Sequence, residues 1–244
     1  MPPLKPAPPR PNRRPEANNL THLSFLLHRQ PRRARVYVPP RASTRLLVLF
    51  DGQNIFGDEG SFAGGWHADE AVSRLPGTVD RPIVVALDHG HHHRNRELWT
   101  DLDAVLDLVI HQLLPAVRER WALQGPVVLG GASLGGLAAL AGHLRHPGIF
   151  GGALCISPSF WYHHGAIFRE LPAAPPPDAR IYVDVGKREG SLMYPLALRM
   201  VEELRHRGYG DHQLLWRPDE RGRHHEKHWR RRLPKALKFL FRKR

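Results

Sequence analysis

The chain has 244 residues, 41% of them hydrophobic, which suits one α/β domain with a full core. Its one cysteine, Cys155, excludes an internal disulfide and sits in the apolar run Ala153-Leu154-Cys155-Ile156, the setting of a buried structural thiol. No apolar run is long enough to span a membrane, and the Pro/Arg-rich start lacks a signal-peptide core, so a cytoplasmic protein is expected. The net charge of +13 is uneven: residues 1–41 carry nine Lys/Arg against one acid, 217–244 twelve against three, and 42–216 fifteen against nineteen. Basic ends can meet anionic partners, but no aromatic-interleaved module accompanies them, so no specific nucleic-acid partner is expected.

In chain order, residues 1–18 read as a disordered proline-rich leader and 19–244 as a single domain. Short strands are expected at 22–27 and 35–38, with the basic stretch 29–33 turning between them to give the sheet an antiparallel start. Leu46-Leu47-Val48-Leu49-Phe50 is uninterruptedly apolar, as a strand buried on both faces requires. Loops at the carboxyl ends of such strands build the site of an α/β sheet. The first is Asp51-Gly52-Gln53-Asn54, where Gly52 lets the backbone turn and Gln53 is the candidate second oxyanion donor, with Asn54 beside it for substrate. A short helix opens around 64–70, and residues 82–87 form another buried strand. Its exit loop, 88–99, is polar, cationic and aromatic, and Arg94 and Arg96 are candidate substrate contacts.

Residues 102–121 have helical spacing, with Pro115 expected to kink them. Then comes Val127-Val128-Leu129-Gly130-Gly131-Ala132-Ser133-Leu134-Gly135-Gly136, a β-branched run leading through Gly-x-Ser-x-Gly into an Ala/Leu-rich helix, which is the order of a nucleophile elbow. Ser133 is the candidate nucleophile and the Leu134 N–H, at the helix start, the first oxyanion donor. A phosphate loop is disfavoured, because Gly136-Leu137 stand where Lys-Ser/Thr would be needed. A strand over 150–156 runs into Ser157-Pro158-Ser159-Phe160-Trp161, whose rings can wall a pocket or plug the core. A strand over 179–185, a helix over 191–207, a strand over 213–216 and a closing helix over 229–241 complete a mostly parallel sheet with helices on both faces.

A serine hydroxyl needs a base, and the base an orienting carboxylate, in the chain order Ser, acid, His. Among seventeen histidines, His224 lies in the loop after the last strand, where the base belongs, with His225 as alternative. Glu189, free in its exit loop, and Asp184, inside the strand on the face of Tyr182, compete for the acid, and Glu189 is preferred. The histidine-rich stretches 91–93 and 224–228 lack the H-E-x-x-H order, so no metal is expected, and acyl transfer on this machinery needs no cofactor.

These pieces, with Arg94-Asn95-Arg96-Glu97-Leu98, Asp184-Val185-Gly186-Lys187-Arg188-Glu189-Gly190 and His224-His225-Glu226, occur in order over residues 45–244. As a set they resemble the esterase branch of the α/β-hydrolase superfamily, which holds enterochelin-type siderophore esterases, esterase D, feruloyl esterases and the mycolyltransferases. The resemblance implies the α/β-hydrolase fold, a triad at Ser133, Glu189 and His224, and an acyl-enzyme formed from a small-molecule ester. It departs at His89, where relatives often carry Asn, and in its crowded histidines, which bear on substrate choice. A siderophore esterase, an acyltransferase of the same fold, or a non-catalytic scaffold with basic ends are the alternatives.

Overall fold

The computed structural model describes residues 20–243, so the leader expected at 1–18 lies outside the described residues. Among the described residues the strands are β1 (Leu20–Leu27), β2 (Gln30–Tyr37), β3 (Leu46–Leu49), β4 (Ile83–Leu87), β5 (Val127–Ala132), β6 (Phe150–Ile156), β7 (Arg180–Asp184) and β8 (Leu214–Trp216). They form one sheet in the order β1-β2-β4-β3-β5-β6-β7-β8. β2 runs antiparallel to both neighbours, and the pairs from β4 to β8 are parallel. This is the α/β-hydrolase fold.

The helices are α1 (Ala68–Ser73), α2 (Leu102–Leu108), α3 (Leu114–Trp121), α4 (Leu134–Arg145), the single turn α5 (Tyr162–Gly165), α6 (Met193–His206) and α7 (Glu226–Leu240). Strand side chains alternate between two cores, as a period of two demands. Val48, Val85, Leu129, Ala153 and Val183 face one core, which α2, α3, α4 and α6 cover. Leu47, Val84, Val128, Leu154 and Tyr182 face the other, under α1 and α7. No helix among the described residues is long and apolar enough to cross a membrane.

Two local expectations are corrected. The turn between the first strands is His28-Arg29, both at positive φ, and residues 30–33 belong to β2. A two-residue loop with both central residues left-handed matches the twist of the flanking strands. Pro31 is tolerated because β4 pairs with β2 only from Ala34 to Tyr37, which leaves Pro31 off that ladder. The helix expected over 102–121 is interrupted by a wider π turn at Val109–Leu113, and α3 starts with Pro115 in its first turn. Proline has no N–H and its ring crowds the carbonyl four residues back, so a local widening there spares the helix a break.

Candidate active site

The elbow is built as its glycines demand. Ser133 sits between β5 and α4 at φ 56°, ψ −122°, a conformation costly for a residue with a Cβ. A Cβ on Gly131 would lie 2.6 Å from the carbonyl carbon of Gly135, so strand and helix close on each other only because residue 131 is glycine, while a Cβ on Gly135 would press on Asp51 Oδ2 at 3.1 Å. The Ser133 N–H is held by the carbonyls of Ile156 and Ser157, each at 3.1 Å. Leu134 opens α4, so its N–H has no intrahelical acceptor and is available to an anion.

Glu189 faces His224 across the exit loops of β7 and β8. The His224 Nδ1 lies 3.1 Å from Glu189 Oε2; the Glu189 side chain is fully buried, and the imidazole is about one third exposed. The other carboxylate oxygen, Oε1, accepts from Ser157 Oγ at 2.7 Å, Gly186 N–H at 2.7 Å and Arg232 Nη2 at 3.1 Å. One oxygen is therefore pinned while the other points at the imidazole. Burial alone would raise the Glu189 carboxyl, but donation from His224 and Ser157 and the charge of Arg232 hold it below the ordinary glutamate range. A carboxylate acceptor requires His224 Nδ1 to carry the proton, which leaves the Nε2 lone pair open.

Ser157 is the hinge of this arrangement. It is fully buried at φ 44°. Its hydroxyl donates to Glu189 and accepts from Trp229 Nε1 at 3.1 Å and Arg232 Nη2 at 2.6 Å. Trp229 in turn meets the His224 ring edge-on, centroids 5.0 Å apart. Neither Ser157 nor Arg232 was singled out from sequence as a site residue. Arg232 stands in the run Arg230-Arg231-Arg232, but it lies three residues after Trp229 and four before Ala236, on the buried face of α7.

The structure separates the alternatives. Asp184 is fully buried, accepts the Tyr182 hydroxyl at 3.0 Å and the Ser157 N–H at 3.3 Å, and does not bond His224. His225 caps α7, its Nδ1 accepting from the Lys227 N–H at 3.2 Å. The Ser133 hydroxyl itself rests on Ser159 Oγ at 3.1 Å, and no hydrogen bond joins it to His224 among the described residues.

The opposite wall comes from the exit loops of β3 and β4. Asp51 is left-handed at φ 55° and buried, and Arg94 grips both its oxygens, Nε to Oδ1 at 2.5 Å and Nη2 to Oδ2 at 2.7 Å. Arg94, expected on substrate, is instead spent on Asp51, because a buried carboxylate must be paired. Gly52 packs where a Cβ would meet the Leu87 carbonyl carbon at 2.6 Å. The Gln53 side chain clasps the His89 backbone, donating to its carbonyl at 3.0 Å and accepting its N–H at 3.3 Å. Gln53 lies in the first turn of a short 3-10 segment (Gly52–Asn54), where a backbone N–H lacks a local acceptor. The Asn54 side chain accepts from the Phe62 N–H at 3.0 Å and so ties down its own loop. Arg32 and Glu97, both buried, pair beneath the histidine-rich loop, and Glu97 also accepts the Gly90 N–H at 2.8 Å. Arg96 is half exposed, 3.5 Å from Asp101.

Of the two aromatic candidates, Phe160 is fully buried in the core and presents no face to a ligand, which corrects its expected role. Trp161 is exposed, with its Nε1 on Met193 Sδ at 3.2 Å. Among the described residues no three His, Cys, Asp or Glu side chains are grouped to hold a metal ion.

Comparison with known proteins agrees with this architecture. Iron(III) salmochelin esterase from Escherichia coli O6:H1 is 30% identical over 182 residues, covering 66% of this chain and 43% of that one. Protein YbbA of Bacillus subtilis is 28% identical over 143 residues, 54% of this chain and 57% of that one. The chain thus spans about half the length of the curated relatives it matches. The crystal structure of the enterobactin esterase FES from Shigella flexneri superposes with a TM-score of 0.76 at 24% identity, over 92% of this chain and 60% of that one, a likeness of fold. The family model described as "Putative esterase" matches residues 28–240, and the chain belongs to that esterase family of the α/β-hydrolase superfamily.

Proposed function

We propose that the chain hydrolyses carboxylic esters through an acyl-enzyme on Ser133. The observation that carries the reading is the Glu189–His224 pair at 3.1 Å, linked through Ser157 to a serine held at φ 56° on a strand-to-helix elbow. Substrate entry turns the Ser133 hydroxyl from Ser159 toward His224, a tightening common to catalytic hydrogen bonds. His224 Nε2 takes the hydroxyl proton as Oγ bonds to the ester carbon. The N–H groups of Leu134 and Gln53 receive the oxyanion. Collapse expels the alcohol, which takes the proton from His224, and water repeats the sequence to release the acid. Glu189 stays ionised throughout and holds the imidazolium that forms.

The test is hydrolysis of p-nitrophenyl acetate and butyrate by wild type and Ser133→Ala. The expected loss of kcat is about 10,000-fold or more, as for other serine triads. Equal turnover by the two chains overturns the reading.

A second, narrower reading is that the ester belongs to an anionic siderophore. It is supported by the function named for the Escherichia coli relative and by a cleft of about 710 Å³ that borders the site at Gln53, away from Ser133 and His224, and is otherwise lined by His22, Arg33, His89, His91 and His93 among others. Imidazoles and a guanidinium suit a planar anionic ligand. Equal kcat/KM for a ferric siderophore ester and p-nitrophenyl butyrate, unchanged by Arg33→Ala, would remove this narrower reading and leave the esterase.

A further inference from the structure

Arg232 lies behind the Glu189–His224 pair, with its side chain buried and forked between two fully buried carboxylates. Its Nη2 donates to Glu189 Oε1 at 3.1 Å, and its Nη1 stands 3.0 Å from Asp184 Oδ1. The Nη1 contact is out of line for a hydrogen bond, so Asp184 meets Arg232 as a charge. Two anions thus share one cation at the back of the site, and only one of them reaches the imidazole. Resting on the esterase reading above, we propose that Asp184 and Arg232 are positioning residues of opposite effect. Arg232 pins Glu189 and neutralises it in part, while Asp184 draws Arg232 away. Together they set how firmly Glu189 holds the His224 imidazolium.

The surroundings leave few other charges to do this. Tyr182 faces Asp184 from its own strand and donates to Oδ2 at 3.0 Å. Cys155 adjoins it from β6, Ser157 from the loop after β6, Glu189 from the loop after β7, Arg232 and Trp229 from α7, and Arg217 acts on Tyr182 from beyond β8. Burial, opposed by Arg232, pushes Asp184 up to about 7, so its charge changes near neutral pH. When Asp184 is neutral, the whole charge of Arg232 falls on Glu189, and the imidazolium loses support. A unit charge a few ångströms away in a part-buried site moves a neighbouring titration by roughly one pH unit.

The experiment follows the His224 ring by NMR in the full chain, assigned against His224→Gln, alongside the pH profile of kcat/KM on p-nitrophenyl butyrate. Asp184→Asn leaves Arg232 uncompensated, and the ring's titration midpoint and the acid limb should both fall, by up to about 0.5 pH unit because the wild-type Asp184 is itself part-neutral near pH 7. Arg232→Gln should move both upward. Midpoints that stay put, or move in the same direction in both variants, overturn the proposal, because a purely structural role lowers stability without opposed titration shifts. If a single variant does not fold, the double Asp184→Asn, Arg232→Gln chain, which removes both charges together, must titrate at or above the wild-type midpoint, and a fall below it overturns the proposal. The ring titration needs no turnover. A wild type that fails to cleave esters therefore sinks the esterase reading alone, and opposed shifts that fail to appear sink this proposal alone.

Discussion

On the acid–base side of the site, Glu189, Ser157, Asp184, Trp229 and Arg232 share hydrogen bonds and charge contacts, with these side chains buried between β6, β7 and α7. On the side of the proposed oxyanion donors, Asp51 is held by Arg94, which is about a quarter exposed, and Gln53 by the N–H and carbonyl of His89 in a histidine-rich loop. The first region is a closed network in which removing one member strands several others. The second is two separate clasps at the edge of an open cleft. The groups behind His224 are sealed from water while its imidazole stays about one third exposed, whereas Asp51 and Gln53 are held by contacts a sequence can change one at a time.

The largest effect should come from within the sealed network. Glu189→Gln removes the acceptor that fixes the His224 tautomer and should lower kcat by about 1,000- to 10,000-fold with KM little changed. Steady-state kinetics on p-nitrophenyl butyrate decide this, and a loss under tenfold would mean that Glu189 is not the orienting acid.

How far the sequence foretold these two regions depends on how local each demand is. Gly131, Ser133 and Gly135 were legible because the elbow needs those residue types at adjacent positions. His224 and Glu189 were legible from their loops, since strand order dictates which loops converge. The Arg94–Asp51 pair was not, because a long side chain reaching a partner 43 positions away leaves no periodic trace. Arg232 was hidden in a basic run, although the phase of Trp229, Leu233 and Ala236 puts it on the inner face of α7. The antiparallel hairpin was legible, but its turn lies at His28-Arg29 rather than over 29–33, because Arg29 is not among the residues that favour positive φ and so leaves no turn signal.

Smaller effects should order themselves by network membership. Ser157→Ala leaves Trp229 Nε1 and Arg232 Nη2 without their shared acceptor, so stability in urea should fall by about 1 to 3 kcal/mol and kcat by roughly tenfold. Arg94→Ala, on the open side, should cost about 2 kcal/mol by leaving the buried Asp51 carboxylate to a longer contact with His89 Nε2 at 3.8 Å. It should lower kcat/KM equally for anionic and neutral esters; a selective loss for anionic ones would return Arg94 to the substrate.

The smallest effect is on acid stability. Glu189 is held below its ordinary value of 4.5, so its stabilisation is complete above that pH and is lost as pH falls through the lower folded-state value. The slope of unfolding free energy below pH 4.5 should therefore be flatter in Glu189→Gln than in wild type, by urea titration at several pH values. Parallel slopes would place the acid-labile group elsewhere.

Cys155 lies fully buried in β6, and burial, with Asp184 nearby, pushes its thiol above the ordinary range. Only a thiolate attacks a maleimide at a useful rate, so the native chain is silent to thiol dyes while it stays folded. A cysteine placed at Leu192, more than half exposed and next to the methionine that receives the Trp161 ring nitrogen, would be the single reactive point, giving a fluorescent reporter beside that indole without first editing out the native sulfur.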